Sequence, residues 1–452
     1  VTITAANFKT AVVKNVKVDT ATPATVNVIL EAGKIEETVV VTSGQEILQT
    51  ETATVGTTIS GRQILETPIQ SRDALDLVTL LPGTSTTGVV RTSSINGLPK
   101  SALTIQIDGV DVQDNFLKSS DGFFTFIRPR IDAIDEVTVS TASPGSESSG
   151  DGAVAIRFQT RRGTDEYRGS VFWQHRDEGL NAANFQNNYL NQAKSKLRLN
   201  QFGGSFSGPI PFLNFGEGVP WLSKGKGKRY FFVNYERFHL NETSPVRTRQ
   251  VLTAEAQGGV FRYGTGGANT VNLFNIAQGA GLPNTIDPTV QAMLNLIRTG
   301  TGISGNFQQL GTGNIWFRQP FSFSNAGEQR RRFLVVRTDF NITKDHALDI
   351  IYNDQPFRSN VDFLNSVDPA FPGIPNAGTQ QSDRRSLSIG FRSNFGGNLV
   401  NQFRYAQLSG WLKGASNFDL VGGPEYFQNL MMGYAVSLAN AGLTNPTIRN
   451  AS

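Results

Sequence analysis

From about residue 164 onward, apolar and polar residues alternate along segments of roughly ten residues. In residues 386–395 one face holds Leu387, Ile389 and Phe391, and the other holds Ser386, Ser388, Gly390 and Arg392. Because successive side chains of a strand point to opposite faces of a sheet, this alternation predicts β-strands with one apolar and one polar face. Similar segments are residues 230–240, 332–342, 347–353 and 399–406, with fainter ones at 166–176 and 197–208.

The connections between these segments are of two kinds. Long polar segments, above all 254–329 and 355–382, alternate with short turns, and one helix is expected from Asp287 and Pro288 to about Gly300. Aromatic residues stand near the strand ends: Trp173, Tyr230, Phe340, Tyr352 and Trp411. This pattern favours an antiparallel transmembrane β-barrel with its apolar face toward lipid, its polar face toward the lumen, long loops outside and short turns in the periplasm.

Composition supports a mainly β fold and excludes several kinds of site. The 452 residues include 46 Gly and 31 Phe, no Cys and three His, and the net charge is +4. Lack of Cys excludes disulfides and thiolate metal sites, and the small charge does not indicate a nucleic-acid partner. The histidines, His175, His239 and His346, lack ligand spacing, and Asp108, Asp111 and Asp114 lack the EF-hand pattern. We therefore expect no catalytic residues, no metal site and no cofactor.

Residues 46–163 predict a compact α+β domain. Ser60 and Gln63 have capping-box spacing for one short helix, and Ser71 is expected to cap a second, whose buried side is Leu75, Leu77, Val78 and Leu81. Strands are expected at 104–107, 136–140 and 153–159. Turns are expected at Asn96-Gly97 and Asp108-Gly109.

The N-terminal region has two expected parts. Residues 1–32 are typical of the tail of an immunoglobulin-like β-sandwich, and residues 33–45 of a linker. Within the linker, the β-branched run Thr38–Thr42 has no predicted partner strand and could pair with the edge of another protein. Alternatively, residues 37–42 form the last strand of the sandwich or the first strand of the next domain.

Several short motifs follow each other in an order and spacing that resemble those of TonB-dependent outer-membrane receptors, in particular the Oar-like branch with a carboxypeptidase-regulatory-like N-terminal domain. The landmarks in residues 46–163 are Arg72, Pro82, Gly83, Asn96, Gly97, Asp108 and Gly109. Residues 167–170 and 180–182 are similar to the first barrel strand of that branch, whereas Arg161-Arg162-Gly163 departs from its usual junction.

The resemblance implies a plug domain at 46–163 and a partial barrel at 164–452. It also implies that Glu37, Thr38, Val39, Val40, Val41 and Thr42 form a TonB-box-like strand. The expected partners are the energy-coupling protein TonB, outer-membrane lipid and an unknown extracellular ligand, such as an iron chelate, an oligosaccharide, a peptide or a protein. Active transport is then expected across the bacterial outer membrane, with the plug and the N-terminal domain on the periplasmic side and no enzymatic reaction. An adhesin or surface-assembly protein with the same barrel is the alternative.

About eight strands are expected in 164–452, whereas barrels that enclose a folded plug have about 22. We therefore expect the chain to carry the plug and only the first part of the barrel.

Two groups of basic residues allow alternative interpretations. The run Lys224-Gly225-Lys226-Gly227-Lys228-Arg229 could bind lipopolysaccharide phosphates or form a solvated turn. A second group is either a polar contact between plug and wall or ordinary surface charge: Arg157, Arg161, Arg162, Arg330, Arg331 and Arg332.

Overall fold

The computed structural model describes residues 2–14, 28–33, 38–42, 55–69, 71–86, 92–113, 119, 121–142, 154–183, 185–189, 194–213, 222–223, 225–311, 315–361, 363, 368–374, 379–396 and 399–413. Of the residues singled out above, Glu37, Asp114 and Lys224 lie outside these ranges. Within the described ranges no helix combines the length and the apolar character needed to cross a membrane.

A small sheet at the N-terminal end contains three strands in the order β1-β2-β3: β1 (Thr2–Ile3), β2 (Thr10–Lys14) and β3 (Thr38–Thr42). β2 runs antiparallel to β1 and parallel to β3. The prediction that Thr38–Thr42 has no partner strand is therefore wrong. The N–H and C=O groups of this β-branched strand, which would otherwise be unpaired, form a ladder with β2 of the same chain. This pairing agrees with the alternative that the segment ends the N-terminal domain.

An α+β domain follows, with the elements β4 (Val55–Ser60), α1 (Gly61–Glu66), α2 (Leu75–Val78), β5 (Thr84–Ser85), β6 (Ser94–Ile95), β7 (Leu103–Ile107), β8 (Val110–Asp111), β9 (Ile134–Ala142) and β10 (Val154–Thr160). Its main sheet has the order β4-β9-β10-β7-β8, in which only β7 and β10 pair in parallel. The three strands predicted from the sequence are confirmed. One apolar core of its own, which includes Ile64, Leu77, Ile105, Val137 and Phe158, makes this domain a separate folding unit.

Local details of this domain are partly as predicted. The capping box is confirmed, since the Gln63 side chain accepts a hydrogen bond from the Ser60 backbone N–H at 3.0 Å. The expected cap at Ser71 is wrong, because α2 begins at Leu75 and its first N–H donates to the Asp73 carboxylate at 3.1 Å. The turn Asp108-Gly109 has positive φ at both residues, as its sequence predicts.

The main antiparallel sheet contains eight strands: β11 (Arg168–Asp177), β12 (Leu197–Pro209), β15 (Arg229–Thr243), β21 (Ala326–Asn341), β22 (His346–Asp354), β23 (Phe357–Ser359), β24 (Gln380–Phe395) and β25 (Leu399–Lys413). β22 and β23 both lie between β21 and β24, so they form one strand that is interrupted at Gln355 and Pro356. Across its width the described sheet therefore has seven strands, close to the about eight expected from the sequence. At the outer edges, β11 and β25 each pair on one side only within the described residues.

The two ends of this sheet differ. At one end, here called the short-turn end, residues 342–345 and 396–398 join neighbouring strands. At the other, the long-loop end, strands are joined by residues 178–196, 244–325 and 360–379. The segment 210–228 lies at the short-turn end and contains β13 (Phe212–Leu213) and β14 (Leu222–Ser223).

The long connection 244–325 folds as a subdomain of its own. It contains β16 (Arg247–Leu252), α4 (Ala254–Gln257), β17 (Val260–Tyr263), β18 (Asn269–Asn272), α5 (Leu273–Gly279), α6 (Pro288–Thr301), β19 (Asn306–Phe307) and β20 (Arg318–Phe323), and α3 (Phe185–Tyr189) lies in the loop 178–196. The predicted helix is confirmed as α6, with Asp287 accepting from the first backbone N–H groups. Phe371, from the loop 360–379, completes a core with Ile297 and Phe321, so two separate loops pack as one body.

The alternation of faces is confirmed in the main sheet. On β15, Phe232, Asn234 and Glu236 are buried against the α+β domain, while Tyr235 and Arg237 on the opposite face are exposed. On β21, Phe333, Val335 and Arg337 are buried, and the intervening residues are less so. The polar face of the sheet therefore encloses the α+β domain, and the apolar face points away from it.

Candidate functional site

Three polar contacts join the α+β domain to the enclosing sheet, and the first is centred on Glu236. Its carboxylate is fully buried and pairs with Arg130 of the α+β domain, whose side chain is 3% exposed. Arg72 also approaches, with its Nε 3.9 Å from the Glu236 Oε2, and pairs with Asp132 of its own domain. From the sheet, Gln201 donates to the same carboxylate at 2.5 Å.

Aromatic rings complete the surroundings of these two arginines. The Arg72 guanidinium lies 3.5 Å from the centre of the Phe172 ring, and that of Arg130 lies 4.3 Å from the centre of the Phe333 ring. Both rings belong to the enclosing sheet, so each cation is held by a carboxylate and by an aromatic face. The arrangement places one buried negative charge of the sheet against two positive charges of the α+β domain.

The second contact has the opposite polarity. Arg337 of β21 extends from the sheet to the Asp108 turn, with 3.2 Å between its Nη1 and the carboxylate Oδ1, and donates to the Thr160 hydroxyl at 2.8 Å. Asp108 also accepts from the Thr160 backbone N–H at 3.0 Å. Burial raises the pKa of Asp108, and the neighbouring Arg337 guanidinium opposes that rise. Asp108 therefore does more than shape a turn, because it ties the turn to the sheet.

A third contact uses neutral groups where β22 is interrupted. The Gln355 side chain accepts from the Arg128 backbone N–H at 2.8 Å and donates to the Arg128 C=O at 3.0 Å. Gln355 is buried, so its amide satisfies two backbone groups that would otherwise have no partner. Close by, Arg384 of β24 lies over the Phe124 ring at 5.1 Å.

Of the six arginines proposed for such a contact, Arg162 joins the α+β domain to the main sheet by an ion pair, with its Nε 3.8 Å from Asp339. Arg161 donates to Ile134 within its own domain, and Arg330 and Arg332 pair with Glu328 and Asp354 of the sheet. Sequence reasoning missed Arg130, Glu236 and Arg337, because residues so far apart in the chain meet only through the fold. Alternation does place Glu236 and Arg337 on the polar face.

The remaining landmarks have a local structural role. Pro82 precedes Gly83, which has a φ of +84°, and Gly83 accepts a hydrogen bond from the Asn96 backbone N–H at 2.8 Å. A Cβ at Gly83 would stand 2.2 Å from the Asn96 Oδ1. Asn96 and Gly97 both have positive φ. These residues close the β5–β6 hairpin, and the described structure places no main-sheet residue against them.

The histidines do not come together. His175 bonds to Asn200, His239 to Glu328 and His346 to Ser393, each across neighbouring strands. Among the described residues no group of three or more His, Asp or Glu has the arrangement of a metal site. Beside the Asp108 contact lies an open polar cavity of about 1070 Å³, whose lining includes Glu136, Arg157, Ser205 and Arg404.

Comparison with known proteins gives one family and a set of solved structures. The family described as outer membrane beta barrel domain matches residues 159–451. No curated protein matches the sequence. Similar solved structures include the outer membrane transporter YddB from Escherichia coli, at 10% identity and a TM-score of 0.46, covering 79% of this chain and 39% of that one.

Two further structures are the ferric enterobactin receptor PfeA from Pseudomonas aeruginosa, at 11% identity and a TM-score of 0.41, and the ferric yersiniabactin uptake receptor FyuA from Yersinia pestis, at 11% and 0.35. Alignments cover 78% and 80% of this chain but only 40% and 50% of those chains. The chain thus spans half or less of the length of these structures.

Proposed function

Because the chain belongs to the outer membrane beta barrel domain family, and therefore lies in the outer membrane, we propose that it takes part in active transport of a ligand across that membrane. In this proposal the α+β domain is a plug that closes the lumen of the barrel. The main sheet is the wall of this barrel. Transport requires the plug to move relative to the wall without unfolding the barrel. No chemical change of the ligand is needed.

The observation that carries the proposal is the nature of the contact between plug and wall. The plug has its own apolar core, whereas one small cluster of buried apolar residues, Ala133 with Phe232 and Val335, crosses to the wall within the described part of the chain. The other crossing contacts described above are ion pairs, hydrogen bonds and arginine side chains stacked on aromatic rings, such as Arg130 with Glu236 and with Phe333. Water can replace such bonds one by one, so a polar contact can open at a lower cost than a dry apolar one of equal area.

The strand Thr38–Thr42 is the proposed handle by which the energy-coupling protein TonB pulls on the plug. As an edge strand of the small N-terminal sheet it has one unpaired side within the described residues, to which another strand could add. When force is applied, the strand either keeps its parallel ladder with β2 or exchanges it for a ladder with TonB. The ligand is proposed only as a class that large outer-membrane receptors take up: an iron chelate, an oligosaccharide, a peptide or a protein.

The test replaces Val40, the central residue of the strand, by Pro in the natively expressed protein. Proline removes one ladder N–H and cannot extend a paired strand, so ligand uptake should stop while ligand binding to cells is kept. Val40→Thr is the matched control, because it stays β-branched and keeps the N–H. Uptake by the Val40→Pro variant at the rate of the control would show that this strand is not the handle.

Adhesion is a second candidate, favoured by the folded subdomain at the long-loop end. Several of its large apolar side chains are exposed, among them Tyr263, Ile276, Leu282 and Ile303. Such side chains fit contact with another protein or surface as well as contact with a ligand. Deleting residues 37–42 separates the two functions, since adhesion should persist and uptake should stop.

A further inference from the structure

The basic turn at the short-turn end has a defined structure and position. Lys226 stands between Gly225 and Gly227, which both have positive φ, and a Cβ at Gly225 would lie 2.0 Å from the Ile210 carbonyl oxygen. The Gly227 N–H donates to Asp165 at 2.9 Å. The turn is therefore fixed by its backbone, and the lysine side chains do not hold it.

The end of β21, next to the turn at 342–345, is hydrogen-bonded to the basic turn. The Asn341 side chain donates to the Gly227 C=O at 3.0 Å, and the Asn341 N–H donates to the Lys228 C=O at 2.7 Å. The two turns carry Lys226, Lys228 and Lys344 with the carboxylate of Asp345, and they are flanked by Arg229 of β15 and by Asp165 of the segment before β11. Lys226 and Lys228 are exposed, and Lys226 is close enough to Asp165 to interact electrostatically with that carboxylate. This surface keeps an excess of positive charge.

The turn lies directly below the apolar outer face of the barrel. Arg229, the first residue of β15, is in register with Phe340, and the same row continues through Leu348, Phe391 and Phe403. The Arg229 guanidinium lies 4.0 Å from the centre of the Phe212 ring, which is 45% exposed. A cation that stacks on an aromatic ring at the border of an apolar band is typical of the membrane–water interface.

The distance from this row to the two lysines is comparable to the thickness of the lipid headgroup region. Lys228 and Lys226 precede Arg229 by one and three residues, which places their Cα atoms at most about 3 to 10 Å beyond this row. The headgroup region on each side of a bilayer is roughly 5 to 7 Å thick. Both lysine side chains can therefore reach the level of the lipid phosphates.

We propose that Lys226, Lys228 and Arg229 bind the phosphate of an anionic phospholipid in the inner leaflet of the outer membrane. Lipopolysaccharide is excluded as the occupant by position, because the segment lies at the opposite end of the sheet from the long loops. The site anchors the barrel at the periplasmic surface, beside the strand end from which the plug is connected. It does not depend on the transport proposal, but only on the orientation of the barrel.

The experiment uses the natively expressed protein, purified in detergent and titrated with phosphatidylglycerol, with zwitterionic phosphatidylcholine or with inorganic phosphate, while bound lipid is counted by native mass spectrometry. We expect preferential binding of phosphatidylglycerol. A Lys226→Ser/Lys228→Ser variant should bind it roughly 30-fold more weakly, from about 1 kcal/mol for each cation near an anionic membrane. Lys196→Ser is the matched control, an exposed lysine at the long-loop end, and should bind as the wild type does.

A Lys226→Arg/Lys228→Arg variant keeps both charges and should retain binding, which separates loss of charge from loss of the fold. Equal binding of phosphatidylglycerol by the serine variant and the wild type would overturn the proposal. So would equal binding of phosphatidylcholine and phosphatidylglycerol. Saturation by inorganic phosphate with no preference for lipid would show a free-anion site and would also overturn it.

Discussion

Replacing Glu236 by Gln should loosen the α+β domain, the proposed plug, from the barrel without unfolding either. The change keeps the size of the side chain and an oxygen that can accept from Gln201, but it removes the negative charge that Arg130 and Arg72 face. Because Arg130 is almost completely buried, its charge would then lose the carboxylate with which it pairs in a place that water does not reach.

Two estimates of the cost agree. Removing one partner of a buried ion pair typically costs about 3 to 5 kcal/mol. The attraction between Arg72 and Glu236 alone, at 3.9 Å, is about 4 kcal/mol with an effective dielectric constant of about 20. Detached plug should thus become about 100- to 5,000-fold more populated.

The assay is hydrogen–deuterium exchange of the peptide that contains the Arg128 backbone N–H. That N–H donates to Gln355 of the wall, so its exchange reports directly on separation of the two bodies. In Glu236→Gln the Arg128 N–H should exchange about 100- to 5,000-fold faster, in proportion to the population of detached plug. Peptides from β21 should exchange at the wild-type rate. Glu255→Gln is the matched control, because Glu255 pairs with Arg262 on the surface of the loop subdomain, and it should change nothing. If the Arg128 peptide exchanges at the wild-type rate in Glu236→Gln, this ion pair does not hold the plug.

Three further substitutions test other parts of the structure. Phe371→Ala removes the ring that joins the loop 360–379 to the subdomain core, so it should destabilise that subdomain by about 3 to 5 kcal/mol and speed its proteolysis, while the barrel stays resistant. Gly83→Ala forces a Cβ against Asn96 at positive φ and should lower the melting temperature of the plug, whereas Gly279→Ala, at an open position, should not. Arg337→Gln leaves Asp108 buried without its cation, and the peptide containing the Thr160 N–H should exchange faster.

The parts of the fold that follow from local patterns could be predicted from the sequence. Alternation at a period of two gave the inward position of Glu236 and Arg337, because a strand with one buried face has a strongly specified register. The turn Asp108-Gly109 was predictable for a similar reason, since few residues accept positive φ at two successive positions.

The contacts between distant segments could not be predicted. Glu236 and Arg130 are 106 residues apart, and nothing in the residues near either one identifies the other. The partner of the β3 strand was missed because β-branched composition predicts that a strand pairs, but not which strand it pairs with. The loop subdomain was missed as a unit because its core takes Phe371 from a different loop.

Movement of the plug against the wall during uptake can be tested with a removable tether between the two. The 452 residues contain no cysteine. Ala133→Cys in the plug and Val335→Cys in the wall, which belong to one cluster, can therefore be joined by a short cleavable bifunctional thiol reagent. The tether should stop uptake, leave ligand binding unchanged and restore uptake when it is cleaved, whereas either single-cysteine protein should take up ligand normally. Uptake at the wild-type rate through a fully tethered protein would contradict it.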